Sequence, residues 1–207
     1  TNATPTVPRR RGVLFWLGCG LLASFAAIAL SAPWLAPYDP ATLSDPPLAT
    51  PSRAHLLGTN DIGQDVASQL LYGTQTTLLI AGSVTAASTL LSWLVGVTAG
   101  FVRRLEVPLM GVTDLLLALP GIPLAVLVLT LLGPGRSNVI GVLALLSWPS
   151  FARIVRSIVL QTRSSAYVEA AHALGANAPH IALRHLLPAT LVVLPTKLIL
   201  TVRYAVF

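Results

Sequence analysis

Residues Tyr167 to Pro188, YVEAAHALGANAPHIALRHLLP, form a short and moderately polar segment caught between two long apolar runs. A segment so placed belongs at a membrane face rather than in a core. Its chemistry predicts two short helices joined by an elbow. Glu169 lies in the first turn of the first helix, where a carboxylate suits the positive helix end. Gly175 follows where a left-handed C-terminal residue is wanted, Asn177 can cap the next helix, and Pro179 falls in that helix's tolerant first turn. Tyr167, Ala171, Leu174, Ala178 and Ile181 follow near-helical spacing, although the elbow interrupts the stripe. The segment therefore reads as a compact helical knob with one small apolar face built to dock.

Composition sets the environment around that knob. The chain has 207 residues, of which 54% are hydrophobic and 10% charged, a balance that a water-soluble domain of this length would struggle to keep in solution. It reads as an integral membrane protein. The formal net charge of +6 is carried by basic residues scattered beside apolar runs, with no basic, aromatic-interleaved patch of the kind that grips nucleic acid. These residues read as topology signals. A single cysteine, Cys19, forbids an intramolecular disulfide and leaves the compartment open. The chain lacks an initiator methionine and stops inside a hydrophobic run at Phe207, which predicts a chain incomplete or trimmed at both ends.

In chain order, residues 1–12 are polar, contain Arg9, Arg10 and Arg11, and are expected to be a disordered tail. Val13 to Ala32 has about the twenty apolar residues that cross a hydrocarbon core. It exceeds a signal peptide's apolar core, and Pro33 would directly follow cleavage at Ala32, so an uncleaved anchor is expected. Residues 33–71 are the one sizeable hydrophilic insertion. Pro33, Pro37, Pro40, Pro46, Pro47 and Pro51 exclude regular helix from its first half. In its second half, Asn60, Asp61 and Asp65 lack the pattern of a calcium loop. A helix cap at Asp65, with turns at Gly58 and Gly63, is the simpler reading.

Thr76 to Val102 is the second expected span, where Gly96 and Gly100, and likewise Gly82 and Ala86, are spaced for close helix approach. The third, Val107 to Leu132, is interrupted by Leu119-Pro120-Gly121-Ile122-Pro123, which predicts a break whose freed carbonyls must face protein or a watery cavity. Asp114 lies about one turn before it. An acid inside a span is a functional candidate by default, but near the cytoplasmic end a snorkelling or paired carboxylate is the simpler reading. Val139 to Leu160 is the fourth span, where Trp148 suits an interface and Pro149 hints at a kink. Arg153 and Arg156 lie three apart on one face and could meet phosphates or an acidic partner surface. A fifth span begins at Leu186; there Arg203 can snorkel outward, while Lys197 should face the bundle or a pore.

Glu169-Ala170-Ala171, then three residues, Gly175, and the ending Leu187-Pro188 together resemble the EAA loop of bacterial ABC-importer permeases. The Arg184-His185 pair is similar to the dipeptide, oligopeptide and nickel branch. So are the phrases His55-Leu-Leu-Gly-Thr-Asn-Asp-Ile-Gly-Gln-Asp65, Asp114 to Gly121 and Trp148 to Arg156. Gln64, Gln69 and Gln75 stand where that branch commonly carries bases, and Asn60 where it carries an acid, so ion pairs made there by relatives are not expected here. The resemblance covers roughly His55 to Phe207. It implies an all-α, polytopic transmembrane helix bundle similar to type I ABC importers, with about five spans in this chain and a sixth outside it.

It also implies a permease subunit that forms part of a pathway for peptides or nickel-type chelates. Glu169, Ala170, Ala171, Leu174, Gly175, Ile181 and Pro188 would couple to ABC ATPase subunits. Gly58, Thr59, Gly63 and Asp65 would form an extracytoplasmic motif, and Asp114, Pro120 and Gly121 a hinge near the pathway. A second homologous permease and an extracytoplasmic substrate-binding protein would be partners, in a bacterial inner membrane. The expected organisation is a cytoplasmic tail over 1–12, an anchor over 13–32, an outer loop over 33–71 and a core over 72–207 with the coupling loop at 164–187.

Charge tests this topology independently. With the N-terminus inside, Arg9, Arg10, Arg11, Arg103, Arg104, Arg153, Arg156, Arg163 and Arg184 fall on the cytoplasmic side, against Arg53 and Arg136 outside, as the positive-inside rule requires. The sequence has no GxxxxGK[ST] phosphate loop, HExxH or GxSxG, so no catalysis, cofactor or metal site is expected. The spacing of His172, His180 and His185 does not set them on one helical face. An ion-gradient-driven secondary transporter is the alternative; its cues are intramembrane acids and internal repeats, and Asp114 is the one acid embedded in an apolar span.

Overall fold

The computed structural model describes residues 10–43 and 46–206. Helices α1 (Arg10–Leu35), α2 (Val66–Phe101), α3 (Arg103–Ala118), α4 (Gly121–Leu132) and α5 (Arg136–Arg163) are followed by the short α6 (Ala166–Ala173) and α7 (Ala178–Ile181). A π-helical turn (Ala182–Leu186), α8 (Leu187–Leu191) and α9 (Leu194–Val206) complete the order. There is no strand among the described residues, only one isolated bridge between Thr59 and Asp65. Among the described residues three helices, α1, α2 and α5, are long and apolar enough to cross a membrane. The bent pairs α3–α4, at 90°, and Pro179–Leu191 with Leu194–Val202, at 49°, bring the number to five if each is one span. The chain is an all-α, multi-pass membrane protein, as its sequence predicts.

The described residues form two compact units that divide inside α2, at Leu79 and Ile80. In the first unit, α1 leaves Phe15, Trp16, Leu21, Leu22 and Leu30 exposed, the surface expected of a helix solvated by lipid. Pro33 does not end it: the helix runs on to Leu35, because proline removes one hydrogen-bond donor yet its fixed φ is itself helical. Helix α1 also starts at Arg10, inside the stretch expected as tail. The tail over 1–9 and the Arg203 side chain lie outside what is described.

Residues 36–43 and 46–65 make the turn-rich link of this unit, and short polar bonds organise it. The Thr59 hydroxyl accepts from the Ala49 amide at 2.8 Å and donates to the Pro46 carbonyl at 2.8 Å. Gly58 has φ +75, and a Cβ there would sit 2.3 Å from the Ala49 carbonyl oxygen, so both backbone sign and space demand glycine. Gly63 is also left-handed, at φ +84. Asp65 caps α2 by accepting from the Ser68 amide at 2.7 Å. The helix accordingly begins at Val66, as a cap at Asp65 predicts, ten residues ahead of the expected start of the span at Thr76.

The second unit is built on α5. Its Phe151, Val155 and Val159 join Val168, Ile181 and Leu186 in one buried cluster, with Trp93, Val97 and Phe101 of α2 packed against it. Glycines let α2 approach. A Cβ at Gly96 would stand 2.6 Å from Val155 Cβ, and one at Gly100 would stand 2.7 Å from Val159 Cβ. The Ser92 hydroxyl donates to the Trp148 carbonyl at 2.8 Å, tying the same two helices. Gly82 is different: nothing described lies within 4 Å of a Cβ there.

Helix α5 runs through Pro149 without a break, and Trp148 is buried rather than at an interface. The chain turns by 90° at Leu119 and Pro120, both extended, as the two prolines predict.

Candidate functional site

The elbow begins where α5 ends. Ser164 closes α5, its amide donating to the Leu160 carbonyl at 3.3 Å, and Ser165 turns the chain outward in an extended conformation. Helix α6 then places Glu169 in its first turn, exposed to solvent together with Ala170, where a carboxylate answers the unpaired amides of the helix start. The helix ends in a Schellman arrangement: the Gly175 amide donates to the His172 carbonyl and the Ala176 amide to the Ala171 carbonyl, each at 3.0 Å. Such an end needs a left-handed residue after the cap, and Gly175 has φ +86. Nothing lies within 4 Å of a Cβ at Gly175, so the backbone sign alone calls for glycine. Asn177 then caps α7, its Oδ1 accepting from the His180 amide at 3.0 Å.

The two sides of this elbow differ. Ile181 is 1% exposed, and it shares the cluster on Val155 and Val159 with Val168 and Leu186. Leu174 is 90% exposed and Tyr167 54%. The near-helical stripe read from the sequence is therefore not one face. Of its members, Ile181 points inward, Tyr167 and Leu174 point outward, Ala171 is half-buried, and the Ala178 side chain lies outside the described residues. After Ile181 the helix widens into a π-turn, in which the Leu187 amide donates to the Ala182 carbonyl. Pro188, exposed and in the first turn of α8, supplies the cause: its ring cannot donate to the Arg184 carbonyl and would crowd it. The sequence reading did not include this widening. Within it, the His185 ring lies 5.6 Å from Tyr167 and 6.2 Å from His180.

A second constellation joins α3 to α5. The Arg153 guanidinium binds the Asp114 carboxylate, one contact being Nε to Oδ1 at 3.1 Å, and Arg156 binds Glu106. Asp114 is thus a paired carboxylate, one of the two readings its position allowed. Both arginines therefore have an acid partner within the chain. Glu106 was not singled out in the sequence, although an acid in the first turn of a helix that opens with Arg103-Arg104 is a recognisable cue. These pairs border a cavity of about 520 Å³ between the helices. Pro120 and Gly121 lie at the bend beyond them.

The outer motif lies in the first unit. Gly58, Thr59 and Gly63 shape its turns, and Asp65 is buried against His55, Oδ1 to Nδ1 at 2.9 Å, with the Tyr38 ring stacked on His55 at 4.8 Å. Burial pushes the Asp65 carboxyl up, but hydrogen bonds from Ser68 and His55 and the attraction of His55 outweigh it and hold the group below the usual carboxylate range. The side chains of Asn60, Gln64 and Gln69 form a neutral amide cluster: Asn60 Nδ2 donates to Gln64 Oε1 at 3.0 Å, and Gln69 Nε2 to the same oxygen at 2.5 Å.

Residues 66–207 match the family described as "Binding-protein-dependent transport system inner membrane component". The chain is 38% identical over 199 residues to a Brucella suis protein assigned as a peptide transport system permease, covering 96% of this chain and 67% of that protein. It is 38% identical over 157 residues to a di/tripeptide transport system permease protein of Pseudomonas aeruginosa, covering 72% and 52%. It is 35% identical over 185 residues to a nickel transport system permease protein of Escherichia coli, covering 87% and 65%. The chain spans about half to two thirds of the length of these curated relatives.

Proposed function

The chain belongs to the family of binding-protein-dependent transport system inner membrane components, and from that premise we propose that it is a permease subunit of an ATP-binding-cassette importer for peptides or nickel-type chelates. One observation carries the mechanism: the elbow is exposed at Glu169 and Leu174 and anchored through Ile181 and Leu186 on the central helix. A push on the outward side therefore has a packed route into α5. Separate ATPase subunits dock on the outward surface, with Glu169, Ala170, Ala171 and Leu174 as contacts. Gly175 sets the elbow angle, and Ile181 and Pro188 hold it to the spans.

Closure of the ATPase pair then favours one of two arrangements of the spans, and the permease does no bond chemistry of its own. The bend at Pro120 and Gly121, braced by the Asp114–Arg153 pair, is where α3 and α4 reorient. A second homologous permease completes the pathway, and a substrate-binding protein delivers solute on the outer side, where Gly58, Thr59, Gly63 and Asp65 shape the loop. The N-terminus lies in the cytoplasm, on the strength of the arginine distribution.

In membrane vesicles or cells, uptake should stop when ATP is depleted while the ion gradient is held constant. Uptake that persists under that clamp and stops when the gradient is collapsed would overturn the reading in favour of a secondary transporter.

A further inference from the structure

Lys197 lies in α9, the second half of the bent pair that is long and apolar enough to make one span, and is 3% exposed. Its Nζ donates to the Ser147 carbonyl at 2.7 Å and sits 5.2 Å from the centre of the Phe151 ring. No carboxylate among the described residues pairs with it; the acids paired with arginine in this unit, Glu106 and Asp114, belong to Arg156 and Arg153. An ammonium has three donors, so one carbonyl leaves it under-coordinated. A buried cation without a counter-ion is costly, and at membrane depth such a residue marks a functional site.

What adjoins Lys197 says what would complete it. A cavity of about 370 Å³ is lined by Lys197, Phe151 and the hydroxyl-bearing Ser147, Ser150 and Thr201, with Ile154 and Leu200 among its apolar walls. Hydroxyls beside an ammonium, on an apolar wall, suit a small anionic oxygen group attached to an apolar body.

We propose that this cavity is an anion-binding point of the translocation pathway, at which Lys197 takes the carboxylate of the transported solute. This rests on the importer reading and deepens it, since it selects solutes with a free carboxylate, such as peptides with an unblocked C-terminus. Ser150 and Thr201 donate to or orient the same carboxylate, the Ser147 hydroxyl being committed to the Leu143 carbonyl at 2.6 Å, and Phe151 keeps Nζ in place between passages. The Ser147 carbonyl holds the ammonium when no anion is present, so the site releases as readily as it binds.

The test uses the assembled importer in proteoliposomes, with a labelled tripeptide bearing a free C-terminal carboxylate and the same tripeptide amidated. Lys197→Met should lower uptake of the free-acid peptide about tenfold or more, the scale of one charged hydrogen bond, and change uptake of the amide less than about twofold. Lys197→Arg, which keeps the charge, should retain free-acid uptake within about threefold. Equal losses for both peptides, or no loss for either, would overturn the assignment, as would failure of the arginine variant to rescue while the amide is still carried. Should the native assembly carry neither peptide while hydrolysing ATP, the importer reading for peptides falls, and this inference falls with it.

Discussion

Gly175→Asp is expected to abolish uptake, lowering it at least about a hundredfold, while leaving the protein inserted in the membrane. The two halves of that outcome have separate causes. Insertion survives because the substitution disturbs little of the fold: nothing lies within 4 Å of a Cβ at this position, and aspartate is among the few residues that enter the left-handed region at modest cost. Coupling fails because of the charge. The new carboxylate would stand at the C-terminal end of α6, beside the unpaired carbonyls, where a negative group is repelled.

It would also sit on the outward side of the elbow next to Leu174, so docking would desolvate an unpaired anion at a cost of several kcal/mol. Gly175→Ala separates the two effects, since it carries the backbone strain of about 1–2 kcal/mol without the charge. It should retain measurable uptake. Uptake by intact cells, read beside membrane-fraction protein levels, decides the matter. Normal uptake by the aspartate variant would count against the elbow as the coupling element.

Gly96→Leu should destabilise the second unit by at least about 1–3 kcal/mol, the range for forcing extra methylenes into a packed interior. The obstacle is immovable: the first added carbon meets Val155 Cβ at 2.6 Å and the Ala152 carbonyl oxygen at 2.7 Å. One contact is backbone and the other a β-branched stem, so no rotamer change relieves it. Helices α2 and α5 must separate, which exposes the cluster of Val155, Val159, Ile181 and Leu186 that seats the elbow. Gly82→Leu, in the same helix and of the same chemistry, adds its side chain to open space and should stay within about 0.5 kcal/mol. Thermal unfolding of the purified protein in detergent should separate the two variants. Equal midpoints would show that the Gly96 contact does not hold the helices together.

The contrast between those glycines shows how far the sequence could be read. The spacing of Gly96 and Gly100 announced a close helix approach and delivered one, yet the same spacing at Gly82 and Ala86 met nothing within the described chain. Spacing states what a helix surface permits; which neighbour arrives is decided by the tertiary fold. The elbow was legible because each of its devices is local: a left-handed glycine, an asparagine cap and a proline in a tolerant turn act within four residues of themselves. The break at Pro120 was legible for the same reason.

The inward and outward sides of the elbow were not, because helical phase cannot be carried across a left-handed residue. Ile181 consequently turned out to be buried while Leu174 stands out. The Asp114–Arg153 and Glu106–Arg156 pairs join residues 39 and 50 apart, beyond any local rule. Trp148 misled because an indole serves an interface and a core equally well, and Pro33 because a helix tolerates the loss of one donor. Lys197 was placed facing the bundle or a pore on cost alone, and the structure gives it a carbonyl and an aromatic ring to face.

The central claim is that the elbow faces the cytoplasm and is covered there by an ATPase. It is tested most directly by introducing Glu169→Cys into a chain whose Cys19 has been replaced by alanine, then applying a membrane-impermeant thiol reagent. No labelling is expected in intact cells, strong labelling once the inner face is opened, and protection when the ATPase subunits are bound. Labelling from outside intact cells would contradict the orientation and, with it, the coupling role of the elbow.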